Sequence, residues 1–298
     1  MATQTQTQDQ WAQWILQQRH GGDPELLKAM MQPLFQIRDA VLQHAAIQAG
    51  NTVLDIGSGD GLIAFGALSQ VGEHGKVIFS DISQDLLRHC QQMAQQMGVI
   101  NRCQFVYASA DHLETIPSQS IDVVTMRSVL VYVQNKPQAF QEFARVLKPG
   151  GRISLFEPVP YLMQPEPPNL FYGCDVTPIM DITDKLKVTL NEAFKPLMQF
   201  NERAMLQAVE NAGFSEVYAM IQISIFPDVG RRFNLPPTNW QAFLKTALNP
   251  LTPPLEEILR QRLTDEEIAR FTSHMRPLVE NNRRSDRSAV LYLWSIKQ

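Results

Sequence analysis

The chain has 298 residues, a net charge of −4 and a pI near 5.9, with 44% hydrophobic and 19% charged residues. That profile fits a packed globular protein, one large domain carrying insertions, and excludes a disordered or fibrous chain. The acidic balance argues against a nucleic-acid partner, and no apolar run reaches the roughly 20 residues of a membrane span.

The N-terminal Met1-Ala2-Thr3-Gln4-Thr5-Gln6-Thr7-Gln8 has neither a basic start nor an apolar core. It reads as a disordered tail and not as a signal peptide. A helix is expected from about Asp9 to His20, stopped by Gly21-Gly22. Asp23-Pro24 looks like an N-cap with proline at the first helical position. A further helix is expected from Pro33 to Ala49, ended by Gly50.

From Thr52 the pattern alternates between strands and helices. Strands are expected at Thr52–Ile56, Lys76–Asp81, Gln104–Ala108, Ile121–Met126 and Arg152–Glu157. Helices are expected over about Asp60–Gln70, Ser83–Met97 with Ser83 as cap, and Gln138–Leu147. Strict alternation predicts a parallel, doubly wound α/β sheet that binds ligands at the carboxyl ends of its strands. After Glu157 it is interrupted. The expected division is 1–50 tail and helices, 51–157 core, 158–200 first cap insertion, 201–226 core continued (helix Asn201–Ala212, strand Glu216–Ile225), 227–287 second cap insertion, and 288–298 last strand.

The three cysteines, Cys90, Cys103 and Cys174, form no CxxC pair and have no histidine set nearby. They read as small buried residues in a reducing cytoplasm, the expected compartment, with no metal site. The chemistry concentrates in Asp55-Ile56-Gly57-Ser58-Gly59-Asp60-Gly61. Glycines between a strand and a helix let the backbone approach a ligand closely. A dinucleotide fingerprint needs its third glycine where this chain has Leu62. Asp55 and Asp60 would repel a pyrophosphate but suit an ammonium group and a sulfonium centre. Asp81, ending the second strand, matches an acid that holds ribose hydroxyls, and Ile82 could pack on an adenine. Ala110-Asp111-His112 follows the third strand, where an aspartate can accept from an adenine amino group. Arg127 follows the fourth strand, and Arg38 stands on a helix before the sheet; both are candidate partners of the methionine end of the ligand.

This ordered set, with Leu147-Lys148-Pro149-Gly150-Gly151-Arg152 before the fifth strand, resembles the class I S-adenosylmethionine (SAM)-dependent methyltransferases over about Arg38–Glu157. The resemblance implies a seven-stranded Rossmann-like sheet with an antiparallel last strand, SAM as cofactor and S-adenosylhomocysteine (SAH) as product. It implies that Asp55 and the loop backbone hold the methionine moiety, Asp81 the ribose and Asp111 the adenine. A nicotinamide-dependent oxidoreductase, which uses a similar sheet, is the main alternative, and a non-catalytic protein of the same fold is a second.

Met126-Arg127-Ser128-Val129 stands where the family's base-methylating members carry a proline-proline-aromatic motif, which points to a small-molecule or peptide acceptor. Tyr161, Leu162, Met163, Phe171, Tyr172, Ile179 and Met180 are candidates to line an apolar acceptor pocket. Arg231, Arg232 and Arg284 suit a carboxylate acceptor through bidentate pairing. Leu248–Pro254 through Arg276–Glu280 is similar to bacterial methyltransferases of peptide natural products, among them cyanobactin enzymes that esterify a peptide C-terminus. That resemblance implies carboxyl O-methylation of a peptide, for which no general base is needed; hydroxyl O-, N- or C-methylation of a small metabolite is the alternative. Candidate bases for such acceptors are His112, Tyr132, Glu157 and Asp175.

Overall fold

The computed structural model describes residues 9–163, 166–228 and 237–298; the expected N-terminal tail lies outside them. Asp9 caps the first helix, α1 (Gln10–Gln13), by accepting from the N–H groups of Trp11 and Ala12. The helix runs on as one π-helical stretch, Trp14–Gln18, and both following glycines adopt positive φ. Helix α2 is continuous from Pro24 to Ala45, with Asp23 as N-cap. The expected break at Pro33 does not occur: Pro33 sits inside the helix, although it lacks an N–H and crowds the preceding turn. Nor does the helix reach Gly50. It ends where Ala46 turns left-handed at φ 48°, and Gly50 instead donates to Val71 in a later turn.

The core follows in the expected order: β1 (Thr52–Ile56), α3 (Leu62–Val71), β2 (Lys76–Asp81), α4 (Gln84–Gln96), β3 (Cys103–Tyr107), β4 (Ile121–Arg127), α5 (Lys136–Val146) and β5 (Leu147–Pro158). Ser83 caps α4 by accepting from the Leu86 N–H. A short hairpin, β6 (Leu170–Phe171) and β7 (Cys174–Asp175), precedes α6 (Met180–Phe194) and α7 (Glu202–Asn211). Then come β8 (Phe214–Phe226), α8 (Trp240–Lys245), α9 (Leu255–Arg262), α10 (Asp265–Glu280) and β9 (Asp286–Lys297).

The sheet order is β3-β2-β1-β4-β5-β9-β8, with β1 to β5 parallel and β9 antiparallel to both neighbours. This is the seven-stranded sheet expected from the alternation. Alternate side chains enter opposite layers, as a pleated strand requires. Val53, Val77 and Phe79 pack under α2, α3 and α4, while Leu54, Ile56 and Ile78 pack under α5 and α7. Both faces are thus covered, which parallel strands need. Strand order reverses between β1 and β4, so their carboxyl ends border the crevice where such sheets bind ligands.

The segments between β5 and α7 and between β8 and β9 share one apolar cluster, including Phe171, Ile179 and Leu186 from the first and Trp240, Phe243 and Phe271 from the second. Neither is a separate excursion; together they form a helical layer.

Candidate active site

A cavity of about 510 Å³ lies at the carboxyl ends of β1 to β4. Its floor is the expected glycine loop. Ser58 donates its N–H to Ser80, Gly61 donates to Ser58, and Gly59 donates to an Asp81 carboxylate oxygen at 2.9 Å. The turn needs glycine at position 57 for two reasons. Its φ is +58°, and a Cβ there would stand 2.4 Å from Val129 Cγ2.

The parallel register sets Asp55 opposite Thr125, whose hydroxyl donates to Asp55 Oδ1 at 2.7 Å. Asp55 Oδ2 is buried with no hydrogen-bond partner, and so is the Ser58 hydroxyl. Burial pushes the Asp55 carboxyl up to about 7, against the pull of Thr125, Arg127 and the Ala64 N–H. A buried, half-satisfied carboxylate is costly until a cation meets it. The chemistry therefore fits a ligand ammonium group.

Asp81 lines the same cavity, with its oxygens accepting from the Gly59 and Ser83 N–H groups. Burial pushes it upward as well. Ile82 is 45% exposed and also lines the cavity, as do Ala110 and Asp111. Burial pushes Asp111 up, but hydrogen bonds from Ser109 and His112 bring it below the ordinary range, so it is an ionised acceptor. Arg127 lines the cavity too.

Several expected residues stand elsewhere. Arg38 lies over Phe35 and pairs with Asp39, outside the cavity lining, with its stem packed against Gly66 of α3. Asp60 does not line the cavity but sits 4.0 Å from Arg19. His112 is mostly exposed and outside the cavity. Asp175 accepts from the Thr177 N–H at a surface turn. Glu157 is fully buried, and its carboxylate accepts from the N–H groups of Val129, Leu130 and Val131. It anchors the loop after β4 and does not border the cavity. Of the candidate bases only Tyr132 lines it, and burial pushes its phenol well above neutral, so it stays protonated.

The expected aromatic pocket is mostly packing. Tyr161 donates its hydroxyl to Glu202, and with Leu162 and Met163 it lies against the sheet core. Phe171 and Ile179 are buried in the cap cluster, and Met180 packs on it. Tyr172 and Arg284 line a second cavity. Arg231 and Arg232 lie outside the described residues.

The sequence reading missed the cavity's other wall. Trp11, Trp14, Ile15 and Arg19 of the N-terminal helix line it. Trp11 meets Tyr132 edge-on at 5.1 Å, and Asp9 accepts from the Ser83 hydroxyl at 2.7 Å, pinning the helix across the site. Positions 11, 14 and 15 share one helical face, a signal present in the sequence. Burial, then the neighbouring Arg127, lower Arg19 to about 10, which still leaves it cationic.

The profile of a methyltransferase domain family matches residues 47–208, more than half of the chain. The chain belongs to this methyltransferase family. The methyltransferase is 34% identical over 113 residues to the ubiquinone/menaquinone biosynthesis C-methyltransferase of Escherichia fergusonii, and 35% identical over 113 residues to that of Salmonella arizonae. Those stretches cover 38% of this chain and 45% of each relative, so the chain spans less than half the length of these curated relatives. Among solved structures it shares its fold with the geranyl diphosphate C-methyltransferase of Streptomyces coelicolor, with a TM-score of 0.55 and 15% identity over 95% of this chain and 85% of that one. The YcgJ protein of Bacillus subtilis gives a TM-score of 0.53 and 16% identity over 88% and 98%.

Proposed function

We propose that this methyltransferase transfers the methyl group to a small organic acceptor, with the donor lying along the crevice between β1 and β4. SAM supplies an electrophilic methyl group on a sulfonium centre. Asp55 holds its ammonium group, with the glycine-loop backbone alongside. Arg19 and Arg127 face its carboxylate. Asp81 takes the ribose hydroxyls, and Ile82 and Asp111 flank the adenine. The observation that carries this reading is Asp55 Oδ2, buried and unpaired at the switch point of the sheet. The N-terminal helix covers the cavity, so water is kept from the reacting centre and the acceptor is held in line.

For the methylated atom we favour carbon, the atom named for the Escherichia and Salmonella relatives. The alternative is ester formation at a peptide carboxylate. Its support among the described residues is Arg284, which lines the second cavity and not the donor cavity.

Calorimetric titration tests the donor site: Asp55→Ala and Asp81→Ala should each weaken SAM binding at least tenfold while circular dichroism stays unchanged. Unaltered affinity in both would refute the placement. Incubating 13C-methyl SAM with a panel of phenolic acids and linear peptides tests the acceptor, since carbon shifts separate C-methyl from ester methyl products. Ester products alone would overturn the choice of carbon.

A further inference from the structure

A second cavity of about 550 Å³ adjoins the donor cavity, and Trp14, Arg19 and Leu248 line both. Four of the nine buried, unpartnered side-chain polar atoms among the described residues belong to its walls: His20 Nε2, the Tyr172 hydroxyl, Arg284 Nε and Arg287 Nε. Three of these are hydrogen-bond donors. Burial, then Arg19, lower His20 to about 4, so its ring is neutral. Three guanidinium groups, Arg19, Arg284 and Arg287, line the cavity against two carboxyls, Glu166 and Asp286. Burial pushes Glu166 upward, against the pull of Lys187 and Arg287.

The donors are held in place before any ligand arrives. Arg284 donates through Nη2 to Thr238 Oγ1 at 3.1 Å and Asn282 Oδ1 at 3.3 Å, and its guanidinium lies 6.0 Å from the Phe243 ring. Its Nε–H is left over. Tyr172 and Gly173 form the two-residue turn of the β6–β7 hairpin, both at positive φ. A tyrosine there is strained, and its ring is gripped by Phe171 at 5.0 Å and Phe243 at 5.4 Å. Ser285 donates its N–H to Gly173 at 2.8 Å, locking the turn beside Arg284. Trp14 Nε1 donates to Ala247 and Ala247 donates to Gln18, so the partition between the cavities is tied on both sides.

A buried set rich in donors and in positive charge wants an anionic acceptor of hydrogen bonds. We propose that the second cavity binds a carboxylate of the methyl acceptor as a handle, through Arg284 and the Tyr172 hydroxyl, while the reacting atom reaches the donor past Trp14 and Leu248. This rests on the methyl-transfer reading above and adds the acceptor's class, an organic acid methylated away from that carboxylate. Two unpartnered donors, Arg284 Nε and the Tyr172 hydroxyl, match the two oxygens of a carboxylate better than the three of a phosphonate. The remaining wall, Leu26, Met30 and Ala247, accepts an apolar body.

Isothermal calorimetry with 3-phenylpropionate, 3-phenylpropionamide and 3-phenylpropylphosphonate, on the free and the SAH-loaded chain, tests the assignment. The acid should bind at least tenfold tighter than the amide, tighter than the phosphonate, and without competing with SAH. Arg284→Gln should weaken acid binding tenfold or more and Tyr172→Phe three- to tenfold, with SAH affinity within twofold of wild type. Equal binding of acid and amide, tighter binding of the phosphonate, competition with SAH, or full acid affinity in Tyr172→Phe would each overturn the proposal. Should Arg284→Gln fail to fold, Tyr172→Phe decides alone, because losing one hydroxyl leaves the packing intact. Failure of SAH to bind wild type would sink the donor reading but not the handle, which the titration of the free chain reads independently.

Discussion

At the scale of a residue, Asp55 shows how a strand end becomes a cation site. The backbone pairing that sets it opposite Thr125 satisfies one carboxylate oxygen and leaves the other buried without a partner. With the carboxyl raised to about 7, donor binding requires a proton to leave Asp55. Affinity for SAM should therefore fall by about tenfold for each pH unit below that value. The donor's own α-amino group loses its charge near pH ~8, so affinity should peak between the two. Asn at this position still accepts from Thr125 but carries no charge. Asp55→Asn should lose at least tenfold in SAM affinity at pH 7.5, and its acid limb should vanish in titrations from pH 5.5 to 9. A variant that kept the wild-type pH profile would show that another group titrates.

At the scale of an element, the loop from β1 to α3 and the loop after β4 form one interlocked wall, with Gly57 against Val129. Gly57→Ala combines a positive φ, worth roughly 1 kcal/mol, with a methyl group 2.4 Å from Val129 Cγ2. It should lower Tm by several degrees and weaken SAM binding more than tenfold. Adding Val129→Ala should restore a large part of the affinity, since it removes the clash and leaves only the backbone strain. A purely additive double mutant would show that the contact is not what matters. The two loops also mark how much was legible in the sequence. Asp55 and Asp81 at strand ends, and Asp111 in the loop beyond β3, were readable because apolar strands and the turns that follow them are local patterns. The continuous helix through Pro33 was not, since packing of Val41, Leu42 and Ala45 against the sheet outweighs the cost of one proline. Arg38 was misplaced because spacing gives no helix rotation relative to the sheet, whereas Arg19 was hidden in a segment with no strand to orient it. Glu157 looked like a base because a buried carboxyl near a site does so until its three N–H donors are seen.

At the scale of the whole molecule, Glu157 ties the stability of the fold to pH. It joins the end of β5 to the loop after β4, and burial raises it to about 7 against the pull of those N–H bonds and of Lys136. Its ordinary value is 4.5. Between these values the folded state holds a proton that the unfolded chain has released. Its contribution is full below about 4.5 and is lost as pH rises through 7, with a slope of up to about 1.4 kcal/mol per pH unit. Asp55 acts with the same sign, from 3.8 to about 7. His20, lowered from 6.5 to about 4, opposes both: its contribution grows as pH rises through that interval. The wild-type curve mixes all three, but comparison with Glu157→Gln isolates one, because groups without shared partners cancel in the difference. The glutamine has one acceptor oxygen for three N–H donors, so the variant should be less stable by about 1–3 kcal/mol at pH 5. Urea unfolding at pH 5, 6, 7 and 8 should show this deficit shrinking steadily toward pH 8, where wild type carries an ionised buried carboxylate and the variant does not. A deficit constant across that range would mean that Glu157 holds the loop by geometry alone and that its proton plays no part in stability.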